Sequence, residues 1–126
     1  MERLFWICLG GAAGTAARYG VGLWAAGRFN GPFPVGTIAV NLVGCFAIAL
    51  IMSVAIAADW SPTVRLGLTV GVLGGFTTYS AFSYETLYLI QTGAWARAAV
   101  NVLVTTAGCI ALCGVGMAAG RALRGG

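Results

Sequence analysis

The residues best suited to chemistry lie in one stretch of this 126-residue sequence, GGFTTYSAFSYE, from Gly74 to Glu85. Its hydroxyl and amide groups donate hydrogen bonds, and its aromatic ring edges carry the positive part of the ring quadrupole. Together these groups suit a small anion. Glu85 opposes an anion when it is ionised, so it must be neutral or matched by an arginine. The sequence has no histidine, lysine or Asp/Glu pair for acid–base chemistry, so we expect no enzyme.

The start of this stretch is typical of a broken helix. Gly74 and Gly75, followed by Phe76, Thr77 and Thr78, weaken helix propagation, and we predict a break around residues 74–79. The carbonyl groups left at such a break can coordinate a cation, while the restarting helix presents amides that favour an anion.

Beyond the predicted break, Tyr79, Phe82, Ser83 and Thr86 recur at helical spacing, with Ser80 and Glu85 beside them. This face alternates aromatic rings and hydroxyl groups. A simple aromatic packing stripe is the alternative interpretation, and the donors that accompany the rings weigh against it.

The surrounding composition indicates which elements position these residues. With 60% hydrophobic and 8% charged residues and a mean hydropathy of +0.92, the chain is typical of an integral membrane protein. Apolar runs over about 4–25, 34–58, 63–92 and 95–120 are each long enough to cross a hydrocarbon core of about 30 Å. We predict an all-α fold, a single domain over residues 1–126 with four transmembrane helices. The first run also has features of a signal peptide, but its apolar texture continues beyond Gly14.

Other polar residues lie inside the apolar runs. Thr37 and Asn41 share a helix face, and Asn41 either bonds to another helix or lines an ion path. Asn101 and Thr105 repeat the pattern, with helix–helix bonding the stronger interpretation. Arg18 either reaches the membrane interface, pairs with a carbonyl or carboxylate, or binds a ligand.

The seven basic residues are all arginines and are dispersed, which excludes nucleic acid as a partner. One face receives four of those near helix ends and the other face two, Arg28 and Arg97. So small a bias is compatible both with a single orientation and with chains that insert both ways and pair antiparallel. Close helix contacts are expected at four glycine pairs: Gly10 and Gly14, Gly67 and Gly71, Gly71 and Gly75, and Gly116 and Gly120.

The four cysteines, Cys8, Cys45, Cys109 and Cys113, all fall in apolar runs without a CxxC pair. We interpret them as small buried hydrophobic residues rather than metal ligands.

Three motifs, GGAAGTAARY at 10–19, GTIAVNLVGCF at 36–46 and GVLGGFTTYSAFSYE at 71–85, identify the chain as resembling the Fluc (CrcB) family of fluoride channels over its whole length. The resemblance implies a dual-topology antiparallel homodimer in the cell inner (plasma) membrane. It also implies passive export of fluoride through two pores, which lowers cytoplasmic fluoride toxicity, and a structural sodium ion (Na+) at the centre of the dimer.

By resemblance, Asn41 matches the pore asparagine, and Gly74 and Thr77 match residues whose backbone carbonyls hold sodium. Phe82 matches the second of two phenylalanines whose ring edges face fluoride, but Tyr79 stands where the first is expected, so the anion meets either a ring edge or a hydroxyl there. Arg18 matches an arginine near an aqueous entrance, or makes a structural contact. The resemblance also places a further set in or beside the fluoride pathway: Thr37, Ser80, Ser83, Glu85, Thr86, Asn101 and Thr105.

Two other classes of membrane protein are alternatives to a fluoride channel. A small four-helix multidrug or guanidinium transporter needs an exposed carboxylate, typically in its first helix, where this chain has Arg18. A non-conducting accessory subunit would explain the glycine packing but not the donors gathered around a broken helix.

Overall fold

The computed structural model describes residues 1–125, and every regular element in that range is helical. The helices are α1 (Glu2–Arg28), α2 (Val35–Ala57), α3 (62–76), α4 (Tyr79–Gln91) and α5 (Trp95–Ala122). Within α3, the α-helical turns Pro62–Leu66 and Gly74–Phe76 flank a π-helical segment, Gly67–Leu73. The expectation of an all-α fold is confirmed.

Local chemistry explains where the helices begin and end. α1 ends before Gly31, whose φ of +124° few other residues adopt, and α2 begins directly after Pro34. Pro62 opens α3 at the first helical position, where the side chain of Ser61 accepts a hydrogen bond from the Val64 amide. Gly93, with φ of +79°, forms the tight turn from α4 to α5.

Two close helix pairs build the molecule. α1 packs along α3, and α2 packs along α5. A methyl group added at Gly71 would lie 2.8 Å from the Ile7 carbonyl oxygen, and one added at Gly14 or Gly116 would overlap the Val72 or Phe46 carbonyl oxygen. These backbones therefore approach as closely as the sequence predicts. At Gly67 a methyl group would find ordinary contact distances.

The outside of the folded chain is apolar. Large hydrophobic side chains are exposed on every helix, including Leu103 and Ile110 on α5. Two helices, Val35–Ala57 and Trp95–Ala122, are long and apolar enough to cross a membrane by length and composition. Such a surface is suited to lipid or to a partner chain rather than to water.

Candidate functional site

The chain between α3 and α4 leaves the helical conformation at two residues. Thr77 (φ −89°, ψ 158°) and Thr78 (φ −153°, ψ 114°) are extended. α4 then restarts with Thr78 as its N-cap, because the Thr78 hydroxyl accepts a hydrogen bond from the Ala81 amide at 3.2 Å. Gly74 and Gly75 remain helical, so the non-helical residues are fewer than the predicted interval of 74–79.

Asn41 on α2 pairs with the backbone of this interruption. Its Oδ1 accepts a hydrogen bond from the Thr78 amide at 2.8 Å, and its Nδ2 donates to the Thr78 carbonyl oxygen at 3.0 Å. One buried side chain thus satisfies both backbone groups of Thr78. Asn41 therefore bonds to the backbone of another segment and also lines a cavity, while its place on an ion path stays a prediction.

The last carbonyl groups of α3 lose their usual helical partners. In a continuous helix Gly74 would accept from the Thr78 amide, but that amide bonds to Asn41. The Ala81 amide, which would serve the Thr77 carbonyl, bonds to the Thr78 hydroxyl. The interruption therefore removes the usual helical donors of the Gly74 and Thr77 carbonyls, and the coordination of sodium by these carbonyls stays a prediction.

Arg18 reaches the same region from α1. Its Nε donates to the Gly75 carbonyl oxygen at 3.0 Å. Of the alternatives weighed for Arg18, the structure shows pairing with a backbone carbonyl. This bond uses one of the five guanidinium donors.

A cavity of about 450 Å3, here called the Asn41 cavity, opens at the interruption. The rings of Tyr79 and Phe82 stand on its wall with centroids 5.4 Å apart and tilted by 54°. Phe82 is 8% exposed, whereas Tyr79 is 79% exposed on the outside of the chain. Predicted residues that line the cavity are Asn41, Gly74, Thr77, Tyr79, Phe82 and Thr105.

A second cavity of about 350 Å3, here called the Glu85 cavity, lies on the other side of Thr78. Thr37 and Arg18 line it with Glu85, and the Thr37 hydroxyl donates to Glu85 Oε1 at 2.8 Å. Glu85 Oε2 is buried and has no hydrogen-bond partner within residues 1–125. Thr37 and Glu85 also line an adjoining cavity of about 270 Å3 under the α1–α2 loop.

The cavities are related through shared walls. Thr78 lines both the Asn41 cavity and the Glu85 cavity. A series of cavity-lining residues therefore runs from the α1–α2 loop, past Thr37 and Glu85, to the interruption and Phe82. Thr78 was missed by the sequence analysis, although a threonine at the start of a restarting helix is a recognisable N-cap signal.

The predicted residues on α4 and α5 form a separate hydrogen-bonded cluster. Asn101, fully buried, donates from Nδ2 to the Thr86 hydroxyl at 2.8 Å, and the Thr86 hydroxyl donates to the Phe82 carbonyl at 2.7 Å. The Thr105 hydroxyl donates to Asn101 Oδ1 at 3.3 Å. The Asn101–Thr86 bond joins α5 to α4 and agrees with the stronger interpretation of Asn101, whereas Thr105 bonds within its own helix.

The two predicted serines make local bonds. Ser83 donates to the Tyr79 carbonyl at 2.9 Å, one turn back on α4. The Ser80 hydroxyl lies 3.2 Å from the Thr78 hydroxyl, close to the interruption. Neither serine lines the Asn41 cavity or the Glu85 cavity.

An all-helical chain with an apolar exterior and polar groups gathered inside is a helical membrane protein. Residues 5–117 match the family described as CrcB-like protein, Camphor Resistance (CrcB), and the chain belongs to this family. A curated relative from Sorangium cellulosum (strain So ce56), named fluoride-specific ion channel FluC, is 48% identical over 98% of both chains.

Further relatives carry the same name. The protein of Anaeromyxobacter dehalogenans (strain 2CP-1) is 48% identical over 88% of this chain and 89% of its own. That of Citrifermentans bemidjiense is 44% identical over 98% of this chain and 100% of its own. The similarity thus extends over nearly the whole length of the chain, including the interruption.

Asn41→Asp should lower the thermal unfolding midpoint of the purified protein. An aspartate retains the acceptor for the Thr78 amide but turns an oxygen toward the Thr78 carbonyl, and the lost bond and added repulsion should cost about 1–3 kcal/mol. Asn30→Asp makes the same chemical change in the exposed α1–α2 loop and should cost less than ~0.5 kcal/mol. Equal midpoints for the two variants would contradict the role of Asn41 at the interruption.

Proposed function

We propose that the chain is a fluoride-selective ion channel that allows passive export of fluoride and so lowers cytoplasmic fluoride toxicity. The observation that carries the proposal is the interrupted helix, whose Thr78 borders two mostly apolar cavities into which a few hydroxyl and amide groups are set. Membership of the CrcB family and relatives named fluoride-specific ion channel FluC agree with it.

Fluoride is strongly hydrated, so a narrow path must replace the donors of water at close range and hold the ion weakly enough to release it. Asn41 uses one of its two Nδ2 hydrogens on the Thr78 carbonyl and keeps the second for the anion. The Thr78 hydroxyl accepts from the Ala81 amide and, where Ser80 is the donor in the bond between their hydroxyls, keeps its own hydrogen for the anion. Both donors are fixed by bonds to the protein and need little rearrangement when the ion arrives.

Aromatic ring edges supply further positive potential. Phe82 lies in the Asn41 cavity next to Tyr79, and its C–H edge attracts an anion without a competing hydrogen bond. Tyr79 offers either its ring edge or its hydroxyl. Its exposure on a single chain is best explained by a second chain that covers it.

We assign the entrance to the Glu85 cavity. Arg18 bonds the Gly75 carbonyl through Nε, which leaves the rest of its guanidinium group to raise the local anion concentration. The Thr37 hydroxyl donates a hydrogen bond to one oxygen of Glu85 and so fixes the orientation of the carboxyl group. The ion then passes Thr78 into the Asn41 cavity. Ser80, Ser83, Thr86, Asn101 and Thr105 support this path through their bonds to α4 and to each other.

We propose further that four passes cross the plasma membrane, with α3 and α4 forming one interrupted pass. Two such chains would pair antiparallel and form two pores. The weak arginine bias of four against two is compatible with insertion in both orientations. Because the two chains are inverted relative to each other, an ion would meet the same groups from either side of the membrane.

The freed carbonyls of Gly74 and Thr77 fit a sodium ion, because a hard cation prefers oxygen ligands. Two carbonyls from one chain are few for such an ion, whereas an antiparallel pair supplies four. We propose that these groups hold Na+ between the chains, where it would bind the two interruptions together. Sodium is structural in this account and takes no part in moving fluoride.

Phe82→Ile should reduce fluoride efflux from liposomes that contain the purified protein by about tenfold or more. Isoleucine is similarly hydrophobic but lacks a ring edge, and losing ~1.4 kcal/mol slows passage about tenfold. Phe5→Ile, on an exposed position of α1, should leave efflux unchanged. Normal efflux by a correctly assembled Phe82→Ile protein would show that the ring only packs, and wild-type liposomes that pass no fluoride would overturn the proposed function.

The assembly can be tested with a tag attached after Gly126. In sealed vesicles an antiparallel dimer should expose about half of the tags on each side. In a separate measurement, replacing sodium with N-methylglucamine should lower the thermal unfolding midpoint of the dimer, because the bound ion stabilises the folded state. Tags confined to one side would contradict dual topology. A midpoint independent of sodium would contradict the ion site.

A further inference from the structure

Three of the four cysteines meet between α2 and α5. Cys109 and Cys113 are one helical turn apart on α5, and Cys45 faces them from α2. Cys113 Sγ donates to the Cys45 carbonyl oxygen at 3.1 Å, and Cys45 and Cys109 line the same cavity. Sequence spacing alone does not predict this cluster, because Cys45 lies far from the other two cysteines along the chain.

The cluster adjoins the Asn41 cavity. Cys45 and Cys109 line the cavity together with Thr78 and Phe82. All four cysteines of the chain are free thiols; Cys8 is exposed and the other three are half-buried, so the prediction that all four are buried is wrong. A small solute that enters the cavity can therefore reach two sulfur atoms from the position where the proposed fluoride path passes.

The helices around the cluster are held at a fixed separation. A methyl group added at Gly108 would lie 2.7 Å from the Leu42 side chain, and one added at Gly116 would overlap the Phe46 carbonyl. The α2 and α5 backbones thus pack closely at Gly116, and the cysteines are carried by two packed helices rather than by flexible loops.

The ligand chemistry follows from the donor types. The residues that line the Asn41 cavity include neither carboxylates nor imidazoles, and no group of three or more His, Cys, Asp or Glu residues within 1–125 is arranged to hold a metal ion. Zinc and calcium are thereby disfavoured. Two thiolates suit a soft monovalent cation such as Cu(I) or Ag(I), which is stable with two sulfur ligands.

We propose that Cys45 and Cys109 bind one soft monovalent metal ion in the Asn41 cavity, and that the bound ion closes the fluoride path. Each thiol releases its proton on binding, so one M+ and two thiols give a bis-thiolate complex of net charge −1 and two protons in solution. The complex occupies space beside Phe82 and repels an approaching anion. The inhibitory part of this inference rests on the proposed function, and the binding part does not.

Silver binding to the purified protein tests the site without any flux measurement. In a chloride-free buffer, the Cys8→Ala protein should retain one Ag+ per chain after gel filtration, measured by elemental analysis, with a thiolate-to-silver absorption band. When Cys45→Ala or Cys109→Ala is combined with Cys8→Ala, the retention of Ag+ should fall at least tenfold. The thiolate-to-silver absorption band should disappear. Undiminished retention by those double variants, or loss of silver in Cys8→Ala alone, would overturn the site.

Fluoride efflux with and without Ag+ then tests the consequence. We expect equimolar silver to slow efflux by the Cys8→Ala protein about tenfold. In the double variants, the rate with silver divided by the rate without silver should be close to one, whatever the rate without silver is. Equal inhibition of all variants would refute closure at this site. Vesicles that pass no fluoride even without silver would refute the proposed function, and the binding measurement would still decide the metal site.

Discussion

The pairing of the Asn41 amide with the backbone of Thr78 is the interaction on which the rest of the structure depends. A helix that stops inside an apolar environment leaves amide and carbonyl groups that water cannot reach, and each unsatisfied group costs free energy. Asn41 satisfies one of each kind with two hydrogen bonds. Because these groups are satisfied by α2, the chain can remain extended at Thr77 and Thr78 and place polar groups between two cavities.

Glycine packing brings the partners of the interruption into range. α1 and α3 approach so closely at Gly14 and Gly71 that Arg18 reaches the Gly75 carbonyl. α5 is held against α2 at Gly116 and bonded to α4 through Asn101 and Thr86. The residues around the interruption are thus bonded to α1 and α2, and α5 fixes the position of α4, which explains how so apolar a chain can fix a polar site. The same α2–α5 packing also bonds Cys113 to the Cys45 carbonyl and places Cys45 and Cys109 on one cavity wall.

Much of the fold could be predicted from the sequence because hydropathy and glycine spacing act locally. The helical conformation of the apolar runs and the close contact at Gly71 needed no knowledge of distant residues. The position of the interruption was less accessible. Gly74 and Gly75 weaken a helix, yet they stay helical here, since Arg18 supports Gly75 and α1 leaves no room for a side chain there. The extended residues are Thr77 and Thr78, selected by the Asn41 amide and by N-capping of α4.

The partners of individual site residues were the least predictable feature. Thr37 and Asn41 share a face of α2, but Thr37 meets Glu85 and Asn41 meets Thr78, so the two contribute to different cavities. Such pairings are set by the packing of helices distant in sequence, which spacing within one helix does not encode. The cluster of Cys45, Cys109 and Cys113 could not be predicted for the same reason, because its members lie on two helices distant in sequence.

Solid-state NMR on the protein in lipid bilayers tests the central claim most directly, through the distance between the Asn41 side-chain carbonyl carbon and the Thr78 backbone nitrogen. The account predicts a separation compatible with a direct hydrogen bond, together with extended-backbone chemical shifts at Thr77 and Thr78. Helical shifts through residues 76–80, with Asn41 remote from Thr78, would contradict it.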